Sequence, residues 1–290
     1  MSRALLVCSC CVIAACKTTS PPQSTSRVVG PRERPVRLVV PPTASGTKLP
    51  LLVLLHGYGS NSEQINQAWH ATATALAKGF VLALPEGTPD SQGRKFWNAT
   101  PACCDRENRG IDDVAYLSAV LDAIEAEVPI DTSRVYFAGH SNGSFMSFRM
   151  GCERATRVTA IAGLAGADFP SAETCVPSRP VSVLHAHGTR DDVIRYEGAP
   201  TAYPSAREAA LRWAGRGGCD VAQPTAGAAM DLDRSVPGAE TRVERWATGC
   251  SAGVDVELWT LEGSSHGPPF NDDWMPKVSD WLLRHRRPRP

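Results

Sequence analysis

The chain has 290 residues, of which 42% are hydrophobic and 21% charged, and its 30 basic and 30 acidic residues give a formal net charge of zero. This length is sufficient for one large domain with a sizeable core, and the composition is typical of a folded globular protein. A balanced charge gives no electrostatic reason to expect nucleic acid as a partner, so that class of function is excluded.

The first 16 residues have the pattern of a bacterial export signal. Arg3 supplies a positive charge, and the apolar run from Ala4 to Ala15 is too short to span a bilayer as a helix. The run ends in IAAC, which resembles a lipobox, a signal whose cysteine receives lipid. We predict that residues 1–16 are a lipoprotein signal peptide and that Cys16 anchors an exported protein to a membrane of the cell envelope. An ordinary secretory signal, or a reactive cytosolic cysteine, is the alternative.

Residues 17–32 differ in composition from the rest of the chain. They are rich in Ser, Thr and Pro and have no apolar periodicity, which predicts a flexible tether. From residue 33 to residue 290, apolar runs alternate with helical patterns, and no internal repeat is visible. We therefore predict a single folded domain over residues 33–290.

Five runs indicate strands, and several of them are continuously apolar, as strands covered on both faces must be. In chain order they are PLLVLLHG, FVLALPEG, RVYFAGHS, VSVLHAHG and VDVELWTLEG. Residues 112–127 carry apolar side chains at the spacing of an amphipathic helix and begin with two aspartates. Ser60 and Glu63 fit a capping box that would open another helix. The alternation predicts an α/β fold with a mostly parallel central sheet and helices on both faces.

The cysteines favour disulfides over a metal site. An even number of cysteines after an export signal is typical of disulfide-bonded proteins, and the chain after the predicted signal has no C-x-x-C pair that would indicate a zinc site. Spacing alone leaves the pairing open, although we expect the adjacent Cys103 and Cys104 to bond different partners. The cysteines after the predicted signal are Cys103, Cys104, Cys152, Cys175, Cys219 and Cys250.

The pattern G-x-S-x-G occurs twice, and its context separates the two copies. The copy at 139–143 follows the predicted strand RVYFA and precedes a helical run. This setting is the nucleophile elbow, in which the serine projects from the sheet edge and the helix N-terminus favours negative charge. The copy at 263–267 is followed by two prolines, which prevent a helix from packing behind the turn. We predict Ser141, and not Ser265, as a nucleophile.

A serine hydroxyl needs a base, and at such an elbow the acid and the histidine follow the serine in that order. His266 lies in a Gly- and Ser-rich loop after the last predicted strand, where such sites assemble. His285, in the terminal basic helix, is a poorer candidate, and His187 has the position of a structural turn residue. After VSVLHAHG, either Asp191 or Asp192 could orient the imidazole. Asp191 holds the usual loop position and is preferred.

Two backbone N–H groups are needed where the oxyanion develops. Asn142, which follows the predicted nucleophile, would supply one. The other should come from the loop HGYG after PLLVLL, and we select the N–H of Tyr58. His56 in the same loop is expected to be structural. Trp97 and Tyr196 are candidates for aromatic side chains of a substrate pocket, with buried packing as the alternative role.

Taken together, these motifs resemble the polyhydroxybutyrate depolymerase/feruloyl esterase family of secreted α/β-hydrolases, which includes lipoproteins. The resemblance implies the α/β-hydrolase fold, the catalytic triad Ser141, Asp191 and His266, a disulfide between Cys219 and Cys250, and no cofactor. The similar segments cover most of the chain after the signal and are LLHGYGSN, FWNATPACC, IDDVAYLSAVLDAI, DTSRVYFAGHSNGS, VSVLHAHGTRDDVIRYEG and LEGSSHG.

The chain departs from the family at positions that bear on the substrate. Pro268 and Pro269 stand where the family usually has Trp, and Ser144 stands where Gly is common. We also expect no appended polymer-binding domain. We predict a secreted serine esterase that hydrolyses carboxylic esters through an acyl-enzyme and resembles either a polyhydroxybutyrate depolymerase or a feruloyl or acetyl esterase. A peptidase or acyltransferase on the same triad, or a catalytically silent binding lipoprotein, is the alternative, and the intact Ser, Asp and His set argues against the silent protein.

Overall fold

The computed structural model describes residues 25–42, 46–251 and 253–288, so Cys16 and the predicted signal peptide lie outside the described residues. The strands are β1 (Thr25–Val29), β2 (Val36–Val40), β3 (Leu49–Leu55), β4 (Val81–Leu84), β5 (Thr88–Pro89), β6 (Lys95–Phe96), β7 (Ile130–His140), β8 (Ala160–Leu164), β9 (Ser182–Gly188), β10 (Thr225–Ala226), β11 (Thr241–Trp246) and β12 (Val256–Leu261). The helices are α1 (Ser62–Ala68), α2 (Ala71–Lys78), α3 (Asp113–Glu127), α4 (Asn142–Glu153), α5 (Ala206–Arg216) and α6 (Trp274–Leu283), with a 3-10 turn at Ala172–Thr174.

One sheet contains ten of these strands, in the order β1-β2-β4-β3-β7-β8-β9-β12-β11-β10. The central strands from β4 to β12 run parallel, and antiparallel pairs form both margins. The predicted mostly parallel sheet is therefore present. Because parallel strands end at the same edge, the loops after β3, β7, β9 and β12 meet there.

Hydrophobic cores lie on both faces of the sheet. Along β3, Leu51, Val53 and Leu55 belong to one core, whereas Leu52 and Leu54 belong to the other, as the alternation of side chains along a strand requires. Helices α3, α4 and α5 pack into the first core, and α1, α2 and α6 into the second. Within the described ranges, no helix is long and apolar enough to cross a membrane.

The capping box predicted at Ser60 and Glu63 is wrong in its cap residue. Asn61 caps α1, because its backbone is extended (φ −151°, ψ 170°) and its side chain accepts from the Gln64 N–H. The Ser60 hydroxyl donates instead to the Gln64 side chain. The helix predicted over 112–127 is present.

The predicted tether over 17–32 extends too far into the domain. Thr25–Val29 form β1, which pairs antiparallel with β2, from Thr25 opposite Val40 to Val29 opposite Val36. Its first four residues are exposed. Such an edge strand is held by backbone hydrogen bonds to its neighbour, which require no apolar periodicity in its own sequence.

The expectation that Cys103 and Cys104 bond different partners is wrong, because they bond each other. Cys152, near the end of α4, is paired with Cys175 in the connection between β8 and β9, and Cys219 is paired with Cys250, so among the described cysteines only the adjacent two are left to bond each other. The pairing that the resemblance implied is also present in the structure. The disulfides are Cys103–Cys104, Cys152–Cys175 and Cys219–Cys250.

Candidate active site

Ser141 occupies the sharp turn between β7 and α4. Its backbone has φ 55° and ψ −120°, a conformation that residues other than glycine rarely adopt. Its N–H donates to the Leu164 carbonyl at 2.8 Å. A Cβ atom at Gly139 would collide with the backbone of Gly143, and one at Gly143 would collide with the Leu55 carbonyl. The turn therefore needs glycine at both flanking positions, and it presents Ser141 at the sheet edge.

Asp191 and His266 meet where β9 and β12 end side by side. His266 Nδ1 lies 2.8 Å from Asp191 Oδ2. The Asp191 side chain is fully buried, whereas that of His266 is 18% exposed. Asp192, the alternative acid, is exposed. The structure therefore brings Asp191, rather than Asp192, to the imidazole.

Four N–H groups surround the Asp191 carboxylate. Oδ1 accepts from the backbone N–H groups of Val193 at 2.9 Å and Ile194 at 2.8 Å. Oδ2 faces His266 Nδ1 and also lies 3.2 Å from His187 Nε2. Burial alone would raise the pKa of Asp191, but the hydrogen bonds from His187 and His266 hold that pKa well below its usual range. Asp191 is therefore ionised near neutral pH, and its negative charge lies where it can stabilise positive charge on the imidazole.

His187, predicted to be a structural turn residue, contacts the acid of the site. Its Nε2 lies 2.7 Å from the Ile194 carbonyl. A carbonyl only accepts, so Nε2 carries the proton, and this nitrogen also lies 3.2 Å from Asp191 Oδ2. Its Nδ1 lies 3.4 Å from His185 Nε2, which in turn lies 3.2 Å from the Gly166 carbonyl. Two buried histidines, His187 and His185, therefore lie one after the other beside Asp191.

His140, which precedes Ser141, holds the loop of His266. Its Nε2 donates to the His266 carbonyl at 2.8 Å, and the two rings lie 4.8 Å apart. Burial, and then the neighbouring His266, lower the pKa of His140 to about 4. Within the described residues the Ser141 hydroxyl makes no hydrogen bond to the imidazole. His140 therefore holds the loop of His266 next to the serine turn. Sequence analysis missed this role, although His140 lies inside the G-x-S-x-G motif.

The loop after β3 borders the serine. A Cβ atom at Gly57 would lie 3.4 Å from Ser141 Cβ, so the backbone that follows, at Tyr58, begins next to the elbow. The Tyr58 hydroxyl points away to Asp90, donating to Oδ2 at 2.7 Å. This arrangement leaves the backbone of the loop, rather than the phenol, nearest the serine.

Trp97 connects the two segments that carry the predicted oxyanion donors. The Asn142 side chain donates to the Trp97 carbonyl at 2.8 Å and accepts from its N–H at 2.7 Å. The indole N–H of Trp97 donates to the His56 carbonyl at 2.9 Å. His56 itself accepts from the Gly87 N–H at 2.9 Å, which agrees with a structural role. The contacts of Trp97 therefore fix the start of α4 against the β3 loop.

The proposed pocket aromatics are packing residues. Trp97 is fully buried. Tyr196 packs edge-on against His187 at 5.8 Å, and its hydroxyl hydrogen-bonds with Thr260 at 2.9 Å. Both aromatic side chains therefore pack against residues that border the site, Trp97 against Asn142 and Tyr196 against His187.

The residues that sequence analysis set aside lie elsewhere. Ser265 is an exposed residue of the loop that carries His266. His285 lies 2.6 Å from Asp255 and 2.8 Å from the Trp281 carbonyl, away from the elbow. Among the residues that the structure describes, no group of three or more His, Cys, Asp or Glu side chains could hold a metal ion.

Residues 35–205 match the family model described as esterase PHB depolymerase. The chain is 28% identical over 228 residues to feruloyl esterase B of Piromyces equi, covering 75% of this chain and 39% of that protein. It is 27% identical over 252 residues to the bifunctional acetylxylan esterase/xylanase XynS20E of Neocallimastix patriciarum, covering 84% of this chain and 33% of that protein. The chain thus spans less than half the length of these relatives.

An acetyl xylan esterase structure from Aspergillus awamori has a similar fold. The TM-score is 0.63 at 16% identity, and the similarity covers 90% of this chain and 99% of that chain. The predicted α/β-hydrolase fold is confirmed.

Proposed function

The chain belongs to the esterase PHB depolymerase family, and from this premise we propose that it is a serine esterase with Ser141 as nucleophile, His266 as base and Asp191 as the acid that orients it. The observation that carries the proposal is the 2.8 Å hydrogen bond between His266 Nδ1 and Asp191. It joins the ends of two strands at the same sheet edge as the strained serine turn. The family that the sequence resembled is confirmed.

The tautomer of His266 follows from this contact. A carboxylate only accepts, so Nδ1 carries a proton and Nε2 is left with a lone pair. That lone pair takes the Ser141 proton as the hydroxyl oxygen attacks the carbonyl carbon of the ester. The buried Asp191 charge stabilises the imidazolium that forms.

The tetrahedral intermediate carries a negative oxygen, which we assign to the backbone N–H groups of Tyr58 and Asn142. The intermediate collapses, the alcohol leaves with the proton from His266, and an acyl-enzyme remains on Ser141. Water then attacks the acyl group with His266 as base, releasing the carboxylic acid and restoring the serine. Two contacts support this assignment of donors. Gly57 lies against Ser141, and the Asn142 side chain makes two hydrogen bonds with the backbone of Trp97.

We assign the substrate to carboxylic esters of carbohydrates. The relatives named above are a feruloyl esterase and an acetylxylan esterase. A feruloyl group is much larger than an acetyl group, so the two names agree on no single acyl group. The name acetylxylan esterase places the ester on a polysaccharide. The carbohydrate side is therefore the part of the substrate that we carry over to this chain.

We also propose that the protein is exported and held to a membrane by lipid on Cys16. Three disulfides within the domain favour an oxidising compartment. A Cys16→Ser variant should then leave the membrane fraction and appear in the soluble fraction. Retention of this variant in membranes after a high-salt wash would reject the lipid anchor.

Turnover of p-nitrophenyl acetate tests the proposed activity. The unmutated protein should hydrolyse it, and Ser141→Ala should lose about 10³-fold or more of the rate while keeping its fold. Ser265→Ala is the matched control, since it removes a serine from the other G-x-S-x-G copy, and it should retain the rate. A larger loss in Ser265→Ala than in Ser141→Ala would contradict the assignment.

A further inference from the structure

The backbone N–H of Tyr58, which we assign to the oxyanion hole, is not used by another acceptor. Tyr58 lies in the loop between β3 and α1, and among the described residues its N–H makes no hydrogen bond. The loop lies against the serine turn, since a Cβ atom at Gly57 would be 3.4 Å from Ser141 Cβ. A donor stabilises an oxyanion only when it points to the position where the charge develops. The direction of the Tyr58 N–H therefore decides whether this group contributes to turnover.

The peptide plane between Gly57 and Tyr58 sets that direction. In a planar trans peptide the C=O and the N–H point in opposite directions, so a contact that holds the Gly57 carbonyl also fixes the Tyr58 N–H. Two nitrogens reach this carbonyl. The Ser60 N–H donates to it at 3.1 Å, and His56 Nδ1 lies 2.8 Å from it. The second contact comes from a fully buried side chain and is the shorter of the two.

The other contacts of His56 place its proton on Nδ1. The Gly87 N–H lies 2.9 Å from Nε2, and because an N–H only donates, Nε2 must accept. Glu86 Oε2 is farther from the same nitrogen, at 3.5 Å, and a proton on Nε2 would face the Gly87 N–H. Burial of the ring lowers the pKa of His56, which favours the neutral form. A neutral imidazole with an accepting Nε2 carries its proton on Nδ1, so Nδ1 donates to the Gly57 carbonyl.

The backbone of His56 is also held in place. Its carbonyl accepts from the indole N–H of Trp97 at 2.9 Å, and the two rings lie 5.2 Å apart. A Cβ atom at Gly143 would lie 2.7 Å from the same carbonyl oxygen, so the start of α4 packs directly against this backbone. The ring therefore cannot turn away from the Gly57 carbonyl without losing its contact with Gly87.

We propose that His56 is a positioning residue of the oxyanion hole, which holds the Gly57 carbonyl through Nδ1–H and thereby directs the Tyr58 N–H toward the oxyanion. The inference rests on the proposed function. It assigns His56 a part in turnover that packing alone would not give. Without the bond, the peptide plane is held by Ser60 alone, so one oxyanion donor weakens while the triad stays in place.

His56→Asn and His56→Leu form a matched pair of variants. The two new side chains have nearly the same shape, and both lose the ring and the contact with Gly87. Only the Asn amide nitrogen can replace Nδ1 as the donor to the Gly57 carbonyl. With p-nitrophenyl acetate, His56→Leu should lower kcat about tenfold with little change in KM, less than the roughly 10²–10³-fold loss for a donor removed outright. His56→Asn should keep most of the rate.

The Ki of a trifluoromethyl ketone separates positioning from a folding defect. Such a ketone forms a hemiketal with the nucleophilic serine, and its oxyanion occupies the same hole as that of the intermediate. A fraction of inactive protein would lower kcat and leave Ki unchanged. A misdirected Tyr58 N–H should instead raise Ki about tenfold in His56→Leu, but not in His56→Asn. An unchanged Ki in His56→Leu, or equal losses in the two variants, would overturn the proposal.

Nitrogen-15 NMR of the unmutated protein tests the premise without any variant, so a His56→Leu protein that does not fold leaves the proposal open to refutation. The His56 ring should show a proton on Nδ1 and none on Nε2, and the opposite tautomer would overturn the proposal. Hydrolysis of p-nitrophenyl acetate separates the two possible failures. No turnover, or equal turnover by Ser141→Ala, rejects the proposed function and this inference with it. Turnover that depends on Ser141, together with any of the contrary outcomes above, rejects the role of His56 alone.

Discussion

Replacing His187 with Phe is expected to move the acid limb of the kcat/KM profile to higher pH. His187 Nε2 donates to the Ile194 carbonyl at 2.7 Å and lies 3.2 Å from Asp191 Oδ2, so its polar N–H stands beside the carboxylate. Without it, the carboxylate keeps the N–H groups of Val193, Ile194 and His266. Because the carboxylate charge is then less neutralised, it attracts the proton on the imidazole more strongly. More of the base is protonated at a given acidic pH, and activity there falls.

The size of this shift follows from the contact. A hydrogen bond to a charged group contributes roughly 1.5–3 kcal/mol. His187 Nε2 lies farther from Asp191 than the 2.8 Å of His266 Nδ1, and its N–H is given to a carbonyl, so the lower end applies. If between half and nearly all of this lost interaction energy instead favours the protonated imidazole, its protonation free energy changes by about 0.7–1.4 kcal/mol. At 1.36 kcal/mol per unit, the acid limb then moves by about half to one pH unit.

The other titratable groups near His266, which are His140, His185 and Asp191, do not obscure the expected shift of the acid limb. Burial, with the neighbouring histidine second, lowers the pKa of His140 to about 4 and that of His185 to about 3. Both histidines are therefore neutral near neutral pH. Asp191 stays ionised there, because its pKa lies well below its usual range.

The assay is kcat/KM for p-nitrophenyl acetate between about pH 4 and pH 9. His187→Gln is the matched variant, because its amide N–H can replace the lost donor, and it should restore part of the original profile. An acid limb that stays in place in His187→Phe, or moves to lower pH, would refute the reasoning. A uniform loss of rate with an unchanged profile would show that His187 acts only through the fold.

Three further outcomes are expected. Cys219→Ser opens a disulfide with a sequence separation of 31 and should reduce the free energy of unfolding in urea by about 3–4 kcal/mol; an unchanged urea midpoint contradicts this. His140→Phe removes the anchor of the His266 loop and should lower kcat about tenfold with little change in KM, as expected when a catalytic group is misplaced; a higher KM with unchanged kcat argues for a role in substrate binding. Burial would raise the pKa of Asp255, but His285, Arg284 and Arg245 lower it to about 2, below the unfolded value near 4. Asp255 therefore contributes about 2 kcal/mol to stability above about pH 4, and this is lost as the pH falls through about 2; equal acid unfolding of Asp255→Asn and the unmutated protein refutes it.

The sheet was predictable where its strands are continuously apolar, and less so elsewhere. β8 has the sequence AIAGL, in which Ile161 is the one β-branched residue, none is aromatic and three of five are Ala or Gly, unlike a typical strand. The structure explains this composition, because a Cβ atom at Gly163 would collide with the Ser144 side chain on α4. Close packing of the elbow helix therefore selects small residues there. This requirement comes from tertiary structure and leaves no periodicity in the sequence.

The proposed triad was predictable because each member follows a recognisable strand. The roles of His140 and His187 were not, since both depend on contacts between loops of different strands. His140 reaches the backbone of a residue 126 positions later. His187 faces the acid four residues on only because the loop after β9 folds back, with Ile194 bonded to both His187 and Asp191. Pattern alone shows the position of such residues but not their partners.

The identity of the nucleophile is the central claim, and covalent labelling tests it most directly. The native protein is treated with a fluorophosphonate and digested, and the modified residue is located by mass spectrometry. The account predicts one label per chain, on Ser141, and none in Ser141→Ala. A label on Ser265 or another serine, or continued ester turnover by a protein whose Ser141 remains unmodified after complete labelling, would contradict it.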